Sequence, residues 1–246
     1  MIALDTQNVA NRFIEHSVVS TGVRRFGLGI ALAVTSVVAG CSHADVPSTS
    51  SGSAPSAAEP QVNPANISRV RGDLPAGYEV ADLSGPASPA AFWGFGPGWV
   101  TEPPQCGLLA GPPTDDATSK GWSGSGPGGI VHAVVTGSPT SPITFDPAVL
   151  ADCGHWTVAS GNTTGTVNLI GAPTIEGATT VGMETAAKTV VEGGMETTSS
   201  VYTFSAYLGD YLVFVTVVAD PGSPNPPLGQ EFAADLLVKT VSALRG

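Results

Sequence analysis

Basic residues are scarce in this chain: 9 Lys and Arg stand against 20 Asp and Glu over 246 residues, for a net charge of −11 with His neutral. Proteins that grip nucleic acid do so by neutralising phosphates, so this balance excludes backbone-driven nucleic-acid binding, and an anionic membrane surface would repel the chain. Charged residues of both signs make up only 12%. No apolar run is long enough to span a bilayer, which takes about 20 residues; the best stretch, Phe26 to Val38, is shorter. Catalytic and cofactor signatures are also missing. There is no G-x-S-x-G, since Gly121-Trp122-Ser123-Gly124-Ser125 ends on the wrong residue. Lys120 to Gly129 is expected to be a glycine-rich loop, and it lacks the Gly-Lys-Ser/Thr of a phosphate loop. Asp115-Asp116 has none of the spaced oxygens of a calcium loop and reads as a solvated turn. His155 follows Cys153 by two positions, but no CxxC pair or second nearby histidine completes a zinc set. The sequence therefore predicts no catalytic residue, no metal and no cofactor.

What is present begins with an export signal. Arg24-Arg25 supplies a positive n-region, Phe26 to Val38 an apolar h-region, and Val38-Ala39-Gly40-Cys41 reads as a lipobox. Cys41 is the expected lipidation site and first mature residue, which places the protein on the outer face of a bacterial cytoplasmic membrane, lipid-anchored in the cell envelope. A bacterial lipoprotein cysteine carries a diacylglyceryl group, and two acyl chains anchor firmly where one does not. Met1 to Gly22 is long and mixed in charge for an n-region, with Asp5 and Glu15 ahead of the arginines. That predicts a true translation start near Val23 as the alternative to Met1. The expected division is residues 1–40 as extension and signal peptide, 41–65 as lipidated cysteine and Pro/Ser-rich stalk, and 66–246 as the extracytoplasmic domain. The stalk has too few large apolar residues to offset the entropy of ordering it.

Of three cysteines, Cys106 and Cys153 remain for the domain. An even pair in an oxidising compartment predicts a Cys106–Cys153 disulfide, with two buried free thiols as the alternative.

High Gly and Pro content predicts many turns. Leu74-Pro75-Ala76-Gly77 is a turn and Tyr78 to Leu83 a strand. Leu108-Leu109 is a helical turn, Ile130 to Thr136 a strand, and Pro147 to Cys153 a short helix. Strands follow at Trp156 to Ala159, Thr166 to Ile170, Thr179 to Val191 and Thr197 to Leu208. Gly209-Asp210 is a hairpin signal with glycine first. Tyr211 to Ala219 is nearly continuously apolar and so central, covered on both faces. Leu228, Phe232, Leu236, Leu237, Val241 and Leu244 repeat at spacings of three and four, the mark of an amphipathic C-terminal helix. The predicted class is α+β: one disulfide-stapled domain, an antiparallel β-sheet covered by helices on one side, with the C-terminal helix packed on the sheet.

Phe92, Trp93, Phe95 and Trp99, with Gly94, Gly96, Pro97 and Gly98 between them, form the densest aromatic cluster. Such residues either plug a core beneath a loop or line a ligand or partner surface. His132 alternates with strand residues, and His155 sits at a loop–strand junction; neither has a nucleophile beside it in sequence.

Leu74-Pro75-Ala76-Gly77-Tyr78, Pro104-Gln105-Cys106 with Cys153, Tyr207-Leu208-Gly209-Asp210-Tyr211 and the ending Leu244-Arg245-Gly246 together carry a resemblance. The chain resembles a group of mycobacterial lipoproteins of unknown function, similar to the PknH-like extracellular sensor domain family. The resemblance implies an α+β sandwich with a cleft. It also implies two disulfides, where this domain has cysteines for one, and it supplies no catalytic residue. Three functions then compete. The first is a sensor-like module binding an unidentified envelope ligand or protein, attached to the membrane through Cys41, with no catalytic activity and no nucleic-acid partner. The second is a structural or adhesive surface lipoprotein. The third is an envelope hydrolase, which would need a base beside a nucleophile.

Overall fold

Strands expected after the first turn, before the short helix and through the C-terminal half join with two unexpected ones, Val100–Glu102 and Asp115–Gly126, into one nine-stranded antiparallel sheet. The computed structural model describes residues 61–83, 85, 87–138 and 147–246. The signal segment, the alternative start at Val23, Cys41 and the stalk up to residue 60 lie outside the described residues. The strands are β1 Glu79–Leu83, β2 Val100–Glu102, β3 Asp115–Gly126, β4 Gly129–Gly137, β5 His155–Ser160, β6 Thr163–Ile170, β7 Thr179–Val190, β8 Glu196–Leu208 and β9 Tyr211–Val218. Their spatial order is β1-β3-β4-β9-β8-β7-β6-β5-β2. Three α-helices, α1 Gly107–Ala110, α2 Pro147–Asp152 and α3 Gln230–Arg245, and 3-10 helices at Pro64–Asp73, Pro89–Phe92 and Pro104–Cys106 complete the chain. Among the described residues no helix is long and apolar enough to cross a membrane.

Because side chains alternate across a strand, an apolar run feeds both faces at once. In β9, Val213, Val215 and Val217 enter one core while Leu212 and Phe214 enter the other. The first core lies under α3, which buries Ala233, Leu236, Leu237, Val241 and Leu244, and under Ile67 and Val70 of the first 3-10 helix. Trp122 of β3 joins it and donates from Nε1 to the Ile67 carbonyl at 3.0 Å. The second core, on the opposite face, is roofed by Trp93, Phe95, Leu109 and the cystine over Trp156, Val158, Val167 and Met183. The expectation of helices on one side is thus half the picture. The long helix covers one face, and short helices with the aromatic loop cover the other.

Cys106 and Cys153 are fully buried and joined, with Cα atoms 5.5 Å apart. The bond ties the start of α1 to the end of α2. One expected loop is a strand: Lys120 to Gly126 belongs to β3, in register with β4. Its glycines serve close packing. A Cβ on Gly121 would stand 2.6 Å from the Ala133 carbonyl oxygen, and one on Gly124 would stand 2.6 Å from Leu74 Cδ1. Asp115 opens the same strand and still makes a local turn there: its Oδ1 accepts from the Ala117 amide at 3.1 Å and its carbonyl from Thr118 Oγ1 at 2.9 Å, within a register irregularity that ends at Lys120.

Candidate functional site

The four aromatics all join the second core but at different depths, Trp93 and Phe95 buried within it and Phe92 and Trp99 packed against it from partly exposed positions. Gly94 and Gly98 turn the chain between them with φ of 86° and 77°, values that favour glycine. Trp93 is buried and donates from Nε1 to Thr203 Oγ1 at 3.0 Å; Thr203 in turn meets Thr216 at 3.0 Å. Trp93 also packs near Trp156, ring centroids 6.1 Å apart. Phe95 is buried over Gly165, where a Cβ would come within 2.8 Å of its Cζ. Phe92 is half-buried and stacks on His132, centroids 4.1 Å apart and planes 26° from parallel. Trp99 reaches the surface as part of an open groove.

Trp99 lies across the backbone of α1. A Cβ on Gly111 would stand 2.7 Å from its Cζ2, and one on Gly107 would stand 3.4 Å from its Cζ3. Two glycines one helical turn apart therefore make the flat bed on which the indole rests. The ring lines a groove of about 410 Å³ with Val100, Thr101, Pro104, Leu108 and Gly111. It also lines one of about 300 Å³ with Ala87, Ala91, Gly111 and Pro112. Val100 and Leu108 are 65% and 47% exposed, unusual for large apolar side chains sharing one groove. Thr101 Oγ1 donates to the Pro103 and Pro104 carbonyls at 3.2 and 3.1 Å, which fixes the turn from β2 into the helices. Beneath it, Cys106 pins the floor to α2.

The groove's lining is mainly apolar, and the one acidic residue next to it in β2 is Glu102, which is exposed. Val100 and Leu108 did not stand out in the sequence. The available signal was the pair Gly107 and Gly111 flanking Leu108-Leu109, directly after an aromatic loop.

The two domain histidines are far apart in the sheet. His132 in β4 lies under Phe92 with Nδ1 buried and unpartnered, and burial lowers its pKa to about 4. His155 in β5 points to the other face and its Nδ1 meets Asn168 Oδ1 at 2.7 Å. Tyr207 lies in the second core, where burial raises its phenol pKa. Among the described residues no group of three or more His, Cys, Asp and Glu could hold a metal ion. A further depression of about 510 Å³ lies along β5, β6 and β7, lined by small residues such as Thr157, Thr164, Thr166 and Ala186. Its one cation, Lys188, is paired with Glu196 at 2.7 Å.

The model of a domain of unknown function, DUF5642, matches residues 63–245. Among solved structures, the X-ray structure of an uncharacterised protein from Mycobacterium smegmatis, an Rv0999 ortholog, is similar at 21% identity and a TM-score of 0.57. It covers 77% of this chain and 100% of that one. At that identity it shows a shared fold and nothing about activity. The extracellular domain of PknH from Mycobacterium tuberculosis is similar at 14% identity and a TM-score of 0.42, covering 75% of this chain and 92% of that one. It is the extracellular domain whose family the sequence motifs resemble. Among curated proteins none matches.

Proposed function

The chain belongs to the DUF5642 family of domains of unknown function, and from that premise we propose that it is a sensor-like binding module of the cell envelope, tethered by lipid at Cys41, with the Trp99 groove as its binding site and no catalytic role. The observation that carries this is the pairing of an exposed apolar groove with a rigid frame. Trp99, Val100 and Leu108 leave apolar surface in water at a place fixed by two bed glycines and a buried cystine. Surface of that kind is retained where something covers it. The cystine supports an oxidising compartment, and the lipobox supports export and tethering. The placement of His132 under Phe92, and of His155 against Asn168, supports a reading without hydrolysis.

The test is site-specific photocrosslinking in the intact envelope of the host. A photoreactive residue at position 108 is compared with one at Val238 of α3, which is 40% exposed and remote from the groove in the fold. The expected result is a discrete adduct, small molecule or protein, from 108 and not from 238. Adducts from neither position, or from both alike, overturn the reading.

A further inference from the structure

We infer that the occupant of the Trp99 groove is an extended polypeptide segment of a partner protein that adds as a strand to β2 and carries an apolar and a basic side chain two residues apart. This rests on the reading of the groove as the binding site and goes further by naming the class of partner.

The position of β2 is the first argument. It ends the sheet, paired with β5 through Val100↔Ala159, Thr101↔Val158 and Glu102↔Thr157, and no strand of the described residues lies on its other side. A free sheet edge offers unpaired backbone donors and acceptors, the template for an added strand. The groove opens between this edge strand and α1, since Val100 and Thr101 line it from one side and Gly107 and Leu108 from the other. An extended segment on the β2 edge would therefore set side chains against Trp99 and Leu108.

The side chains of β2 define the second argument. Val100 and Glu102 lie on one face of the strand, both exposed, with Thr101 on the other. Residues opposite one another on paired strands interact directly, so an added strand gains most by placing an apolar side chain against Val100 and a cation against Glu102. An acidic side chain at that position would meet the like charge of Glu102. β2 is only three residues long and is followed by Pro103 and Pro104, so the ladder is short. Side-chain burial in the groove then supplies most of the affinity, and the expected Kd for a short peptide is weak, on the order of 0.1 mM.

The test uses the full chain, ¹⁵N-labelled in detergent, titrated with ten-residue synthetic peptides. One alternates Val with Lys. A second alternates Val with Glu. A third repeats the Val/Lys sequence with alternate backbone amides N-methylated, which removes ladder donors and keeps the side chains. Saturable shifts of the Val100 to Glu102 and Leu108 amides are expected with the first peptide, binding at least about tenfold weaker with the other two, and at least about tenfold weaker on Leu108→Ser. Both Leu108 and Val100 are exposed, so Val100→Ser serves as a second variant if Leu108→Ser perturbs folding. Absence of shifts, shifts centred on another surface, or equal binding of the Val/Glu or N-methylated peptide overturns the inference. If an adduct still forms from position 108 in the envelope, the binding-module reading stands and only this class of partner falls.

Discussion

Three of the four tryptophans, Trp93, Trp122 and Trp156, are fully buried, while Trp99 keeps part of its ring in water. Acrylamide should accordingly quench one emitting population, and a Trp99→Phe variant should abolish that fraction. Gly111→Ala tests the bed beneath the ring. Its backbone, φ −142°, accepts alanine, so the clash is with the indole alone. Overpacking by one methyl at a half-exposed ring should cost about 1 kcal/mol and swing the ring outward. The readout is increased quenching with a small change in the urea midpoint; unchanged quenching would mean the ring does not rest where described. His132 makes a pH prediction. Its folded pKa is about 4, below the ordinary 6.5, because burial under Phe92 disfavours the charged ring. The unfolded chain therefore holds more protons between those values. The ring's contribution is complete above pH 6.5, declines as pH falls, and is lost by pH 4, for a total of about 2 to 3 kcal/mol. Comparing wild type with His132→Gln by urea unfolding at pH 7.5 and 4.5 removes the background of titrating carboxylates. An equal pH dependence in the two proteins would refute this.

Among the elements, α1 and α2 are too short to hold a position unaided, and the cystine supplies what their lengths cannot. Cys106 and Cys153 are 47 residues apart, so closing that loop stabilises by about 4 kcal/mol in the chain-entropy account. The Cys106→Ala/Cys153→Ala double variant should lose roughly that much in urea and expose Trp99 further to quencher. α3 works through its buried face. Leu237→Ala should cost about 2 to 5 kcal/mol, whereas Val238→Ala, one residue away and exposed, should stay within about 0.5 kcal/mol. The strands β5 to β9 and α3 were legible because alternation, Gly209-Asp210 and the three-four spacing each have a single structural meaning. β3 was not. Gly121, Gly124 and Gly126 look like loop residues, yet each is small because Ala133, Leu74 or Tyr78 presses on the strand there. Nor could the sequence divide Phe92, Trp93, Phe95 and Trp99 into buried and exposed. That split depends on Thr203, 110 residues beyond Trp93, being placed to receive its N–H.

At the scale of the molecule, stability should be graded from the middle of the sheet outward. β4, β9 and β8 are interior strands, and β9 is buried along nearly its whole length. β1 and β2 are edges with exposed side chains. Native-state hydrogen exchange should find amides of β9 and its two neighbours exchanging last and those of β1 and β2 first, with protection following burial. Early exchange in β9 would contradict the two-core arrangement. The described domain is also tied end to end: the Asn63 amide donates to the Leu244 carbonyl at 2.8 Å, and Arg245 Nη1 donates to the Glu176 carbonyl at 2.7 Å.

The strand order has a consequence in time. β4, at residues 129–137, finds its second neighbour only at β9, residues 211–218, and the helix that shields that pair comes later still. Strand pairings this distant in sequence close slowly, because the loop entropy is spent before the contact forms. A ribosome releases the chain from its N-terminus, so β4 has only β3 beside it, and β8 only β7, until β9 emerges to join the two halves of the sheet. Both cores take side chains from β9, so neither is complete until it arrives.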